Sequence, residues 1–197
     1  MCAEYPLEQN NNFGWIEVIT GPMFSGKTEE LIRRLKRATL ANQKVKIFKP
    51  KIDNRFSAYE VVSHDDNSLP SIPVENSNDI YTLSVDANIV AMDEAQFFDN
   101  YIVEVCKVLA GKGMRVIIAG LDMDYMGNPF GPVPQLMATA EYVTKLQAIC
   151  VRCRNLAYVS HRKTDDKNLI LLGEKAEYEP LCRNCFNELM NQENDTI

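Results

Sequence analysis

Apolar residues recur along this chain in two rhythms. Short β-rich runs occupy residues 16–20, 45–48, 89–92 and 115–119, and each is apolar enough to read as a buried strand. Between them the apolar spacing switches to helical. Leu31, Ile32, Leu35 and Ala38 share one stripe, residues 77 to about 85 predict a second helix, and residues 100 to about 110 predict a third that Gly111 and Gly113 end. Pro50 closes the second strand because it cannot donate to a ladder. Strands alternating with helices of roughly 10 to 14 residues imply βαβ units and a mostly parallel sheet covered on both faces. Residues 50–75 carry Asp53-Asn54, Asp65-Asp66-Asn67-Ser68 and further prolines, and read as a long turn-rich excursion. Residues 8–12 and 191–197 are polar and read as frayed ends. From Cys150 to Cys185 no long helical stripe appears, so a second, smaller unit is expected there.

Composition narrows the class. Hydrophobic residues make up 46% of the 197 positions and charged residues 24%, which excludes wholesale disorder and fibrous folds. Lys and Arg total 21 against 27 Asp and Glu, and a formal charge of −6 argues against a protein that lives on nucleic-acid phosphates. The longest apolar run, 116–121, is far short of the roughly 20 residues of a membrane span. The first residues show no basic segment followed by an apolar one, so no secretory signal is visible and the expected setting is the reducing cytoplasm.

Between the first strand and the first helix lies Gly21-Pro22-Met23-Phe24-Ser25-Gly26-Lys27-Thr28, a complete G-x4-G-K-[ST] phosphate-binding loop. Average composition would produce this pattern in about one chain in a hundred of this length. Its strand–turn–helix context is the one the physics needs, since backbone N–H groups and a helix's positive end must converge on phosphate. Lys27 would reach the β- and γ-phosphates of ATP, and the Thr28 hydroxyl would ligate Mg2+. The helix also carries Arg33, Arg34, Lys36 and Arg37. Glu29 precedes Arg33, and Glu30 precedes Arg34, by four residues, so this run is expected to be a solvated, ion-paired face rather than a nucleic-acid patch.

The apolar strand ending at Met92 delivers Asp93-Glu94 to the carboxyl edge of the sheet, where α/β folds bind nucleotides. Asp93 there would hold Mg2+, directly or through water. Glu94 could act as a general base toward an attacking hydroxyl or position a water.

Six cysteines need a use where disulfides do not persist. Four form two C-x-x-C pairs, Cys150 with Cys153 and Cys182 with Cys185, against on the order of 0.2 such spacings by chance. Four thiolates are the ligand set of a closed structural zinc site. Four free thiols or an iron–sulfur centre are the weaker alternatives. The 28 residues between the pairs, 154–181, exceed the roughly 15 to 20 usual in zinc ribbons, so the metal would close a long loop. Cys2, Cys106, His64 and His161 receive no role.

The loop Gly21 to Thr28, the run Ile52-Asp53-Asn54-Arg55, the run Asp93-Glu94-Ala95-Gln96-Phe97-Phe98, the segment from Gly120-Leu121-Asp122 through Pro129-Phe130-Gly131, and the four cysteines together resemble the type II, cellular-type thymidine kinases over about residues 14–186. The resemblance implies a P-loop NTPase, RecA-like α/β core at 13–149 and a four-cysteine zinc-binding lasso domain at 150–191. It implies transfer of the γ-phosphate of ATP to the 5′-hydroxyl of thymidine, with ATP, Mg2+ and structural Zn2+ as cofactors, a homotetramer, and feedback inhibition by thymidine triphosphate.

By position it implies Glu94 as the base, Arg55 approaching the phosphates beside Lys27, and Asp53, Asn54, Ala95 and Gln96 in the nucleotide site. Met23, Leu121, Tyr125 and Phe130 would line the thymine pocket with Phe97 beside the ring. Backbone groups of Leu169, Ile170, Leu171, Leu172 and Gly173 would bond the base, Tyr178 would lie over the nucleoside, and Ser160 would stand where the family usually has a threonine. Glu174 departs from the small residue common after that glycine.

An ATP-driven nucleic-acid-binding module with a zinc ribbon is the competing function. The acidic balance and the lack of a basic, aromatic-rich stripe in 150–185 count against it.

Overall fold

The computed structural model describes residues 13–53, 60–62, 68–164 and 177–194. In chain order it contains β1 (Trp15–Thr20), α1 (Lys27–Leu40), β2 (Val45–Pro50), β3 (Glu60–Val62), β4 (Ser68–Pro70), β5 (Ile72–Val74), α2 (Ser77–Leu83) and β6 (Ile89–Met92). A 3-10 turn at Ala95–Phe97 follows, then α3 (Ile102–Gly111), β7 (Arg115–Gly120), α4 (Val133–Thr139) and β8 (Tyr142–Lys145). The last part holds β9 (Ala148–Ile149), β10 (Leu156–Ala157), β11 (Val159–Arg162), β12 (Tyr178–Leu181) and α5 (Arg183–Asn194).

Among the described residues one six-stranded sheet runs in the order β5-β2-β6-β7-β1-β8, with every pairing parallel. Parallel strands need both faces covered, and the side chains alternate accordingly. Val90, Met92, Val116 and Ile118 pack toward Ile80, Ile102, Val105, Leu109 and Leu136 of α2, α3 and α4. Their neighbours Ile89, Ala91, Ile117 and Ala119 pack toward Leu31, Ile32, Leu35 and Ala38 of α1. A third apolar cluster joins Ala148, Ala157, Val159, Leu181, Phe186 and Leu189 around Cys150, Cys182 and Cys185.

Several expectations need correction. The 50–75 excursion contributes three short strands, and β5 pairs with β2 as the sheet's edge, Pro50 lying opposite Val74. Helix α5 carries Cys185 and runs to Asn194, so residues 191–194 are helical rather than frayed. The α1 basic run is solvated only in part. Arg34 is 7% exposed and donates to Glu17 Oε2 at 2.7 Å, to Glu30 Oε1 at 2.8 Å and to Thr144 Oγ1 at 2.9 Å. Glu17, fully buried in β1, also accepts from Trp15 Nε1 and from both Nε and Nη2 of Arg115. Arg33 pairs with Glu30 across three residues at 2.7 Å.

Candidate active site

Strands β6, β7 and β1 are neighbours and parallel, so their carboxyl ends bring segments 93–97, 121–130 and 21–28 to one edge of the sheet. At Gly21 the loop turns at φ +136°, and a Cβ there would sit 2.2 Å from the Leu146 carbonyl oxygen, so only glycine permits the turn. Phe24 and Glu94 both adopt left-handed backbone, at φ 64° and 52°. Non-glycine residues held there cost about 1 to 3 kcal/mol each and cluster at ligand clamps.

Lys27 Nζ donates to the Pro22 carbonyl at 2.8 Å, across the mouth of the loop. The Ser25 hydroxyl is buried with no hydrogen-bond partner among the described residues, an orphaned donor inside a cradle suited to phosphate oxygens. Thr28 Oγ1 donates to Asp93 Oδ2 at 3.2 Å, so the loop hydroxyl and the strand-end carboxylate meet as a Mg2+ site requires. Burial, and then the adjacent Glu94 carboxylate, push the Asp93 carboxyl up to about 7 against the opposing Glu94 N–H and the Lys27 charge. Asp53 is close enough to add to that upward push and pairs with buried Lys49 at 3.5 Å. A cation at this point relieves the carboxylates that crowd it.

The Glu94 carboxylate accepts from Gln96 Nε2 at 2.6 Å, and Gln96 Oε1 accepts from the Leu121 N–H at 2.9 Å. Beyond Leu121 the chain doubles back. The Phe130 N–H donates to the Asp122 carbonyl, Asp124 Oδ1 accepts from the N–H groups of Met126 and Asn128, and the Phe97 and Phe130 rings meet edge to face at 6.0 Å. Asp122 pairs with Lys145 at 2.5 Å.

The segment that carries the paired cysteines reaches the same edge. The Met23 N–H donates to Ser160 Oγ of β11 at 2.8 Å. Two residues on, the buried Arg162 guanidinium stacks 3.9 Å from the Tyr125 ring centre and donates to the Tyr178 hydroxyl at 2.8 Å. Neither Arg162 nor Lys49, both buried, is assigned a role by the sequence motifs. A lysine one residue before the end of a buried strand that stops at the nucleotide edge was the available signal.

The four cysteines of the two pairs place all their sulfur atoms within 4.8 Å of one another, with Cys153 and Cys182 Sγ 3.4 Å apart. A tetrahedron of sulfurs about 2.3 Å from zinc has edges of about 3.8 Å, so the set fits that ion. Burial opposes ionisation of Cys150, yet neighbouring backbone N–H groups bring it down to about 6, while hydrogen bonding to Cys182 pushes Cys185 up to about 12. Accumulating negative charge on such a cluster calls for a divalent cation. Cys106 is buried in the core instead, and burial pushes it up to about 12.

Of the residues singled out from sequence, Lys27, Thr28, Asp53, Asp93 and Glu94 converge, and Met23, Leu121, Tyr125, Phe130, Phe97, Ser160 and Tyr178 gather on two chains of contacts leading to them. Ala95 is fully buried among core residues. Asn54, Arg55, Leu169, Ile170, Leu171, Leu172 and Gly173 lie outside the described residues, as do Cys2, His64 and Glu174. His161 is buried beside Glu179 and Phe186. Among the described residues no helix is long and apolar enough to cross a membrane.

The thymidine kinase family model matches residues 14–186. The chain is 53% identical over 197 residues to a Bacteroides thetaiotaomicron protein named thymidine kinase, covering 100% of this chain and 99% of that one. A Rhodothermus protein of the same name is 56% identical over 180 residues, covering 91% and 84% of the two chains. A Porphyromonas gingivalis thymidine kinase is 52% identical over 189 residues, covering 94% and 93%.

Proposed function

The chain belongs to the thymidine kinase family, and from that premise we propose that it transfers the γ-phosphate of ATP to the 5′-hydroxyl of thymidine, giving thymidine monophosphate and ADP. The observation that carries the reading is the meeting of Thr28 and Asp93 at 3.2 Å with Glu94 as the next residue. A metal-holding pair and a candidate base thereby face one phosphate cradle.

Phosphoryl transfer through a loose transition state needs positioning and charge neutralisation more than a strong base. Lys27 leaves the Pro22 carbonyl and binds β- and γ-phosphate oxygens, and Arg55 adds charge from the segment after β2. Mg2+ held by Thr28 and Asp93 would neutralise phosphate oxygens when bound. The Glu94 carboxylate accepts the proton of the 5′-hydroxyl as its oxygen forms the new bond to the γ-phosphorus. The bond from that phosphorus to the β,γ-bridging oxygen breaks, and the electron pair leaves with ADP.

Met23, Phe97, Leu121, Tyr125 and Phe130 enclose the thymine, and Tyr178 covers the nucleoside. Arg162 supports this wall by holding Tyr125 and Tyr178 together. Residues 13–149 serve as the nucleotide-binding domain and 150–191 as a zinc-anchored lasso that presents backbone groups of 169–173 to the base. Zinc fixed before binding lowers the cost of ordering that loop. The reading extends to a cytoplasmic homotetramer, inhibited by thymidine triphosphate and with no nucleic-acid partner. The acidic balance supports the lack of a nucleic-acid partner and the free cysteines support a reducing compartment, while the tetramer and the inhibitor rest on the family resemblance.

The test is ADP release from purified, zinc-loaded protein. Release that depends on thymidine and not on DNA supports the proposal. DNA-stimulated hydrolysis without nucleoside phosphorylation overturns it in favour of the nucleic-acid module.

A further inference from the structure

Gln96 is 3% exposed, and both ends of its amide are engaged. Its Nε2 donates to Glu94 Oε2 at 2.6 Å and its Oε1 accepts from the Leu121 N–H at 2.9 Å. The surroundings are shaped around this one side chain. A Cβ on Gly120 would lie 3.1 Å from Gln96 Oε1 and 3.2 Å from the Ala95 Cβ, and a Cβ on Gly131 would lie 2.3 Å from the Gln96 carbonyl oxygen. Gly131 also sits at φ +53°, where a side chain is strained. The loop that leaves β7 and the loop that leaves β6 therefore approach closely at Gln96, with two glycines making room.

The amide can take only one useful orientation. The Leu121 N–H needs an acceptor, which fixes Oε1, and that leaves the Nε2 hydrogens for Glu94. Glu94 needs such a hold because its backbone is left-handed and its carboxylate stands next to the Asp93 carboxylate, which repels it. A base misplaced by about 1 Å can lose on the order of 100-fold in rate.

We propose that Gln96 is a positioning residue for the reaction. It aims the Glu94 carboxylate at the 5′-hydroxyl and ties that aim to the Leu121 backbone at the wall of the nucleoside pocket. Its amide is thus occupied within the protein rather than spent on the nucleotide. The inference rests on Glu94 being the base and adds a second residue through which that base acts.

The experiment compares zinc-loaded wild type with Gln96→Met, Gln96→Glu and Glu94→Gln in steady-state kinetics, with melting temperature and zinc content measured on each. Methionine fills the same volume without donating or accepting. Glutamate still accepts from Leu121 but cannot donate to Glu94. Both Gln96 variants are expected to lose about 10- to 100-fold in kcat. The KM for ATP is expected to stay within threefold, with zinc retained, and Gln96→Glu is expected to be at least as impaired as Gln96→Met. A kcat within twofold of wild type in Gln96→Met overturns the proposal. So does a Gln96→Glu variant with wild-type kcat, which makes the Leu121 anchor the whole role, or a kcat loss matched by lost zinc or a raised KM for ATP, which makes the role structural. If Glu94→Gln itself turns over normally, the base assignment has failed. If Glu94→Gln is inactive and Gln96→Met is normal, only the positioning role has failed.

Discussion

Replacing Glu17 by Gln changes one atom and is expected to be among the most destabilising single substitutions in the chain. Glu17 is fully buried on β1, beside the edge strand β8, and accepts four hydrogen bonds, one from Trp15, one from Arg34 and two from Arg115. Glutamine keeps one oxygen and aims an NH2 group at donors. Arg34 retains Glu30 and Thr144, but Arg115, only 10% exposed at its side chain, loses its sole charged partner among the described residues. Breaking a buried pair by removing one member costs about 3 to 5 kcal/mol, because a desolvated charge is left uncompensated. At about 2 to 4 °C per kcal/mol for a protein of this size, the melting temperature falls by about 6 to 20 °C. The assay is urea unfolding of the zinc-loaded protein, read as a lower midpoint with unchanged slope, alongside thermal melting. Replacing Glu17 and Arg115 together by Met removes the stranded charge and is expected to recover most of the loss. A Glu17→Gln midpoint equivalent to less than about 1 kcal/mol of destabilisation would refute the reasoning, since that is the size of an exposed pair.

Cys153→Ser is expected to abolish stoichiometric zinc and to raise the KM for thymidine more than the KM for ATP, checked by metal analysis and paired titrations, because Cys182 directly follows β12, the strand that Tyr178 opens, whereas among the described residues the phosphate loop touches this unit only through Met23 and Phe24. In Mg2+-free protein the Asp93 carboxyl sits near 7 against an ordinary value of about 3.9. The folded state therefore holds its proton more tightly than the unfolded chain, stability is lost as pH rises from about 4 toward 7, and Asp93→Asn removes that loss. Melting curves of both proteins from pH 5 to 8 check it, with the variant more stable at the upper end yet inactive with Mg2+ and ATP. Cys106, with its thiol pushed up to about 12, is expected to resist iodoacetamide in the native protein and to react only on unfolding, as peptide mapping would record.

Much of the fold was legible because its signals are local. The apolar runs at β1, β2, β6 and β7 and the α1 stripe are dense enough to stand alone, and the phosphate loop and the two C-x-x-C pairs are defined by spacing. Helix α5 was missed because its core contacts, Phe186 and Leu189, are sparse among polar neighbours, and it is the packing around the cysteines that holds it. The three short strands in the 50–75 region are specified by pairing with β2 and with one another rather than by composition. Arg34 read as solvated because its i,i+4 partner Glu30 is local, whereas the partner that buries it, Glu17, lies on another element and brings in Arg115 from 98 residues away. The site followed the same division. Lys27, Thr28, Asp93 and Glu94 could be named from motifs, but the hold of Gln96 on Glu94 and of Arg162 on Tyr125 depends on loops that meet only in three dimensions.

The central claim is that this phosphate edge carries γ-phosphate to the thymidine 5′-oxygen with Glu94 as the base. A single-turnover reaction with γ-labelled ATP, thymidine and Mg2+, comparing wild type with Glu94→Gln, tests it most directly, with ATP binding measured separately. The account predicts labelled thymidine monophosphate from wild type, and from the variant intact ATP binding with transfer slowed by about 100-fold or more, the scale of a lost general base. Label released as free phosphate by wild type, or transfer at the wild-type rate by Glu94→Gln, would contradict it.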